Sequence, residues 1–226
     1  MSEKTIKPVA IIRTDFKEKF GIPRQSGRCP SAIGKIIFEA EFSNADFIRG
    51  IEKFSHLWLI FGFSQCEREK ICATVRPPRL GGNERVGVFA SRAPYRPNGL
   101  GLSCVKLEKV IADGKTLALV VSGVDVLDGT PVYDVKPYIP SADKKTDAFG
   151  GYSEDFTAYK LNVNFPETLR AEFSEREYAV LTECLSDDPR PSYQEDGRVY
   201  GMSFAGAEIK FSVKGDLLTV LSVIKD

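Results

Sequence analysis

The feature that most constrains the fold is a succession of short runs rich in β-branched and aromatic residues, each closed by a turn. Residues 8–14 (PVAIIRT) form the first run, and residues 32–42 (AIGKIIFEAEF) partly alternate, as a half-buried strand does. Residues 57–63 (LWLIFGF) are almost wholly apolar and read as a strand buried on both faces. Further strands are expected over residues 86–90, 103–111, 116–126 and 132–136, with a hairpin turn at residues 112–115. One helical insertion is expected, over residues 44–54 (NADFIRGIEKF): Asn44 caps it, and Phe47, Ile51 and Phe54 share a face. Strands at this spacing with a single helix predict a β-barrel or rolled sheet.

The pattern changes after Pro140. Residues 141–152 are polar, contain Gly150 and Gly151, and read as a linker. Beyond them Ser174 and Glu177 have the spacing of a capping box, opening a helix through Tyr178, Leu181 and Leu185. Strands over residues 198–204, 208–213 and 217–224 follow. The fold class expected is mainly β: a barrel domain over residues 1–145 and a small α+β domain over residues 153–226.

Several chemistries lack their signature. The first strand runs into Asp15, Phe16, Lys17 and Glu18, so no glycine-rich dinucleotide turn follows it. There is no phosphate-binding G-x-x-x-x-G-K-[ST] motif and no G-x-S-x-G elbow. The single histidine, His56, begins an apolar strand and reads as structural. Cys29, Cys66, Cys72, Cys104 and Cys184 include no C-x-x-C pair, so no metal site is expected. They read as reduced and mostly buried, in a cytoplasmic protein. No apolar signal core opens the chain, and no stretch of about 18 apolar residues occurs, so neither export nor a membrane span is expected.

The net charge is zero, from 31 basic and 31 acidic residues, but the balance is uneven. Residues 76–102 (RPPRLGGNERVGVFASRAPYRPNGLGL) carry five arginines among prolines and glycines, flanking a short strand. Guanidinium groups fixed on loops suit phosphate or carboxylate recognition, and glycines admit close backbone approach to a ligand. Asp128-Gly129-Thr130-Pro131 is a turn whose carboxylate suits ribose hydroxyls or an ammonium group. Residues 20–27 (FGIPRQSG) read as an exposed loop carrying Pro23, Arg24 and Gln25.

These motifs resemble one family. PRQ at residues 23–25, SHLWLIF at 55–61, RPPRLGG at 76–82, VGVFASR at 86–92, RPNGLGLS at 96–103 and DGTPVYDVKPYIP at 128–140 are similar to the TsaA-like (YaeB, TrmO) proteins. DPRPSY at residues 188–193, followed by Tyr200 and Gly201, resembles the tail of the bacterial TrmO branch. The resemblance implies a β-barrel that binds S-adenosylmethionine, works as a homodimer and methylates N6 of threonylcarbamoyladenosine at position 37, beside the tRNA anticodon. It places cofactor contacts at Pro23, Arg24, Gln25, Arg92, Leu102 and the turn Asp128, Gly129, Thr130 and Pro131. Phe63, Ser64 and Gln65 also line the family's site. This chain has Ser64 where a histidine is expected, and Gly99-Leu100 where Pro-Ile or Ala-Ile is frequent.

The acceptor N6 is a poor nucleophile with a delocalised lone pair, so a base is needed. Asp134 and Asp128 are the two candidates. Arg24 or Arg92 would hold a carboxylate of cofactor or acceptor. Arg76, Arg79, Arg85 and Arg96 are assigned to tRNA phosphates on charge, and Tyr95, Tyr133 or Tyr138 to base stacking. Residues 188–193 would close a site from the other subunit. Three alternatives stand beside this: a methyltransferase for another small-molecule or nucleoside acceptor, a non-catalytic RNA-binding barrel, and a structural interaction domain.

Overall fold

The computed structural model describes residues 4–64, 72–80, 84–114, 116–190 and 196–225, without the side chains of Arg79 and Phe156. The strands are β1 (Ala10–Thr14), β2 (Ile33–Phe38), β3 (His56–Gly62), β4 (Thr74–Val75), β5 (Val86–Gly87), β6 (Leu100–Ala112), β7 (Leu117–Ser122), β8 (Thr130–Pro137), β9 (Asn162–Asn164), β10 (Val199–Phe204), β11 (Ala207–Lys214) and β12 (Leu217–Lys225). Among the described residues the α-helices are α1 (Pro140–Asp143), α2 (Glu167–Arg170) and α3 (Glu175–Ser186), which follow the first eight strands.

Six strands close a barrel in the order β1-β2-β7-β6-β3-β8, every pairing antiparallel. Alternation fills it: Ala10, Ile12, Ile36, Leu57, Leu59, Phe61, Val105, Leu119 and Val121 are inside and at most 5% exposed. The registers put the end of β1, the start of β2, the end of β3, the start of β6, the end of β7 and the start of β8 at one mouth. Three connections therefore emerge together there: residues 15–32, 63–99 and 123–129. Every cofactor position expected from the sequence, among the described residues, lies on or beside one of them.

β7 stops at Ser122, opposite Lys106 of β6. Residues 100–105 of β6 extend past it, paired with β3 alone. Ser26 covers part of that edge, its Oγ accepting the Cys104 N–H at 3.2 Å.

β10, β11, β12 and β9 form a second sheet, with β9 parallel to β12. Its inner face carries Met202, Phe204, Ile209, Phe211 and Leu218, all buried. Leu181, Cys184 and Leu185 of α3 are buried in the same core cluster, and so are Phe16 and Cys29 of the 15–32 connection. Phe16 meets Phe204 at 6.0 Å between ring centroids, and Phe20 stacks on Phe211 at 6.4 Å. The capping box of α3 forms as expected between Ser174 and Glu177.

Four expectations are corrected. Residues 44–54 form no α-helix: 3₁₀ turns at Ala45–Ile48 and Ile51–Lys53 flank Gly50, whose φ of 87° breaks the helix. Asn44 does cap the first turn, but Phe47 is 64% exposed. β3 is buried on one face only, with Trp58 and Ile60 half-buried outside. Residues 20–27 are not an exposed loop: the C-terminal sheet covers them, Gly21 and Pro23 are buried, and Gln25 and Gly27 are exposed. Within residues 86–90 only Val86–Gly87 pair as a strand, and Val88–Ala90 turn as 3₁₀.

Candidate functional site

The barrel mouth gathers two groups of polar side chains. In the first, Arg92 of the 63–99 connection donates from Nη1 to Gln25 Oε1 at 2.7 Å, bridging two of the three loops. Leu102, half-exposed at 51%, is on the outer face of β6, and Ser103 beside it points inward and is buried. Ser103 Oγ donates to Asp125 Oδ1 at 2.6 Å, bringing in the third loop. Burial pushes the Asp125 carboxyl up to about 6, against hydrogen bonds from Ser103 and the Ser26 backbone and the charge of Arg92. Sequence reading missed Asp125, which lies three residues before the turn at Asp128 and carries no motif of its own.

In the second group, Asp128 accepts the Thr14 N–H at 2.9 Å and pairs with Lys17 at 2.8 Å and Arg13 at 3.7 Å. Burial alone would raise its carboxyl, but Lys17, the Thr14 N–H and Arg13 together hold it below the usual range. The carboxylate is thus turned toward β1. With Arg13, Lys17, Lys35 and Arg176 it lines an open cleft of about 480 Å³. Thr130 is buried, its hydroxyl donating to the Leu127 carbonyl at 2.7 Å, which ties off the turn through Gly129 and Pro131.

Arg24 reaches the C-terminal segment. Its Nη2 donates to the carbonyls of Asp188, Pro189 and Arg190, at 2.6 Å to the last. Asp188 and Arg190 form a buried ion pair at 3.0 Å beside that carbonyl array. Residues 191–193 of the expected closing segment lie outside the described residues, as does Gln65. The Phe63 N–H donates to the Gly99 carbonyl at 2.9 Å, and Ser64 Oγ is buried with no partner among the described residues.

The base candidates differ in setting. Asp134 is on the outside of β8, half-exposed and paired with Lys136 at 2.9 Å. The register slips one residue earlier, so Tyr133 forms a bulge opposite β3. Its ring lies so close to Gly62 that a Cβ there would be 2.8 Å from it. Trp58 and His56 contact the Tyr138 ring, and His56 Nδ1 shares a hydrogen bond with Ser55.

Of the arginines assigned to tRNA, Arg76 is exposed with no partner among the described residues, and Arg85 is exposed with a bond to Thr74 at 3.2 Å. Arg96 instead turns inward, donating to the carbonyls of Val88 and Ser91 at 3.1 and 2.6 Å. The Arg79 side chain lies outside the described residues.

The donor set fits an adenosylated amino acid: a buried carboxylate and an amide suit ammonium and ribose hydroxyl groups, and an exposed guanidinium suits a carboxylate. Ser64 Oγ adds a buried polar atom with no partner among the described residues.

Comparison with known proteins agrees. Residues 11–144 match the model of the tRNA-methyltransferase O N-terminal domain, and residues 158–226 that of the TrmO C-terminal domain. The chain is 39% identical over 222 residues to a tRNA (adenine(37)-N6)-methyltransferase of Escherichia coli, covering 94% of each. It is 41% identical over 229 residues to a putative S-adenosylmethionine-dependent methyltransferase of Pseudomonas aeruginosa, covering 97% of each. A crystal structure of TrmO from Pseudomonas aeruginosa superposes with a TM-score of 0.82 at 35% identity, covering 100% of this chain and 99% of that one. Barrel, loops and C-terminal sheet together identify the chain as a member of the tRNA-methyltransferase O family.

Proposed function

We propose that this protein transfers a methyl group from S-adenosylmethionine to N6 of adenine 37 in tRNA, and that the adenine acted on carries a threonylcarbamoyl group. The observation that carries the reading is the convergence of Gln25, Arg92, Leu102 and Asp125 at one barrel mouth, in a chain whose full-length relative in Escherichia coli bears that enzyme name. Gln25, Arg92 and the backbone around Leu102 would hold the cofactor, with Arg24 anchoring its loop on residues 188–190. The cofactor supplies an electrophilic methyl on sulfur.

The chain's own part is to exclude water, align the acceptor and take the N6 proton. Asp134, half-exposed beside the Tyr133 bulge, suits the base role better than Asp128, whose charge is already balanced by Lys17 and Arg13. Arg76 and Arg85 face solvent and would meet tRNA phosphates near the anticodon loop. The protein would work as a homodimer in the cytosol, a compartment that keeps thiols such as those of Cys29, Cys72, Cys104 and Cys184 reduced.

The test is transfer of label from S-adenosylmethionine into tRNA over a range of salt. Incorporation that falls steeply with salt supports the reading. Label appearing in a small acceptor without tRNA and independent of salt would replace it.

A further inference from the structure

Asp125 belongs to none of the family motifs, yet three of the segments that build the cofactor seat converge on it. Ser103, whose hydroxyl it holds at 2.6 Å, directly follows Leu102. Ser26, whose backbone N–H it accepts, directly follows Gln25. Arg92, whose charge acts on it, is itself bonded to Gln25. These contacts fall where β6 has outrun β7, so no neighbouring strand fixes residues 102–104 on that side.

We infer that Asp125 is a positioning residue of the cofactor seat, its ionised carboxylate fixing Ser26, Ser103 and Arg92 so that Gln25 and Leu102 present one arrangement to the ligand. The inference rests on the S-adenosylmethionine reading above.

The carboxylate is costly where it sits. Burial raises it from 3.8 to about 6, so its stabilising contribution is complete below 3.8 and lost as pH rises through about 6. At neutral pH the fold therefore carries an ionised group that burial disfavours. Arg92 is the charged group set against it, and Ser103 and Ser26 are its neutral donors. An asparagine keeps the shape and one acceptor oxygen but loses the charge. A residue kept only for the fold would lose stability and ligand affinity together on that change. A residue kept for the site would lose affinity alone.

The test compares the protein with Asp125→Asn and Ser103→Ala by calorimetric titration of S-adenosylmethionine and by thermal melting without ligand, at pH 5 and pH 8. At pH 8, Asp125→Asn should weaken cofactor binding about ten-fold or more while the melting temperature holds or rises. Ser103→Ala should weaken binding in the same direction by less. Affinity of the unaltered protein should fall on going to pH 5, and that of Asp125→Asn should not follow it. Unchanged affinity in Asp125→Asn, or affinity and melting temperature falling together in both variants, overturns the inference. So does an Asp125→Asn chain that fails to fold. An unaltered protein that binds no S-adenosylmethionine overturns the proposed function instead, and the two failures are told apart in the same experiment.

Discussion

Asp128 and Asp125 lie three residues apart and are set oppositely by their surroundings. Asp128 is held ionised by Lys17, Arg13 and the Thr14 N–H, while Asp125 is pushed toward its neutral form by burial. Asp128→Asn should cost about 2 kcal/mol near neutral pH, the magnitude of hydrogen bonds to a charged group. Because its carboxyl is lowered in the folded state, that stability is present above the ordinary value of 3.8 and lost as pH falls through its own lower value. Thermal melts from pH 7 to pH 3 should show the gap between Asp128→Asn and the unaltered protein closing at the acid end. A gap independent of pH would contradict the ion-pair account. The turn containing Asp128 was legible in the sequence, since Asp-Gly-Thr-Pro fixes a local conformation. The role of Asp125 was not, because its partners Ser103 and Ser26 come from distant parts of the chain. Nor was the commitment of Arg24, which meets carbonyls more than 160 residues away.

Among the elements, strands whose polar and apolar residues alternate were read closely, since period two shows within a few residues, whereas the alternation of β3 was hidden because its outward residues Trp58 and Ile60 are themselves apolar. The hairpin between β6 and β7 was placed from Asp113-Gly114, and Gly114 takes a φ of 81° there. The helix over residues 44–54 failed because Gly50 adopts a backbone that spacing does not announce. β9, three residues long, carries too little pattern to be seen and exists by pairing in parallel with β12. The Tyr133 bulge was equally hidden, being a property of the β3–β8 register. It makes a sharp prediction: Gly62→Ala places a methyl against the Tyr133 ring and should destabilise the fold by about 1–3 kcal/mol. Denaturant unfolding of Gly62→Ala with and without Tyr133→Ala checks it. Relief of the cost by the second substitution is expected, and additive losses would contradict the contact.

At the scale of the molecule, the C-terminal sheet serves as a cover for the 15–32 connection and, through Arg24, ties residues 188–190 to it. The sequence showed two patterned regions but not that one core runs through both, which depends on Phe16 and Cys29 being buried, and Phe20 partly buried, against the sheet and α3 far along the chain. A neutral chain can still bind tRNA if exposed cations share one face. Replacing both Arg76 and Arg85 by alanine should weaken tRNA binding and reduce the slope of log affinity against log salt by roughly one to two, with S-adenosylmethionine affinity unchanged. A filter-binding titration at several salt concentrations checks this, and an unaltered slope would remove those arginines from the interface. The central claim is tested most directly by digesting tRNA to nucleosides after reaction with S-adenosylmethionine and identifying the methylated one by mass spectrometry. The account predicts a single new nucleoside, threonylcarbamoyladenosine bearing one methyl on N6, from position 37. A methyl group on another base, or none from a protein that demonstrably binds the cofactor, would contradict it.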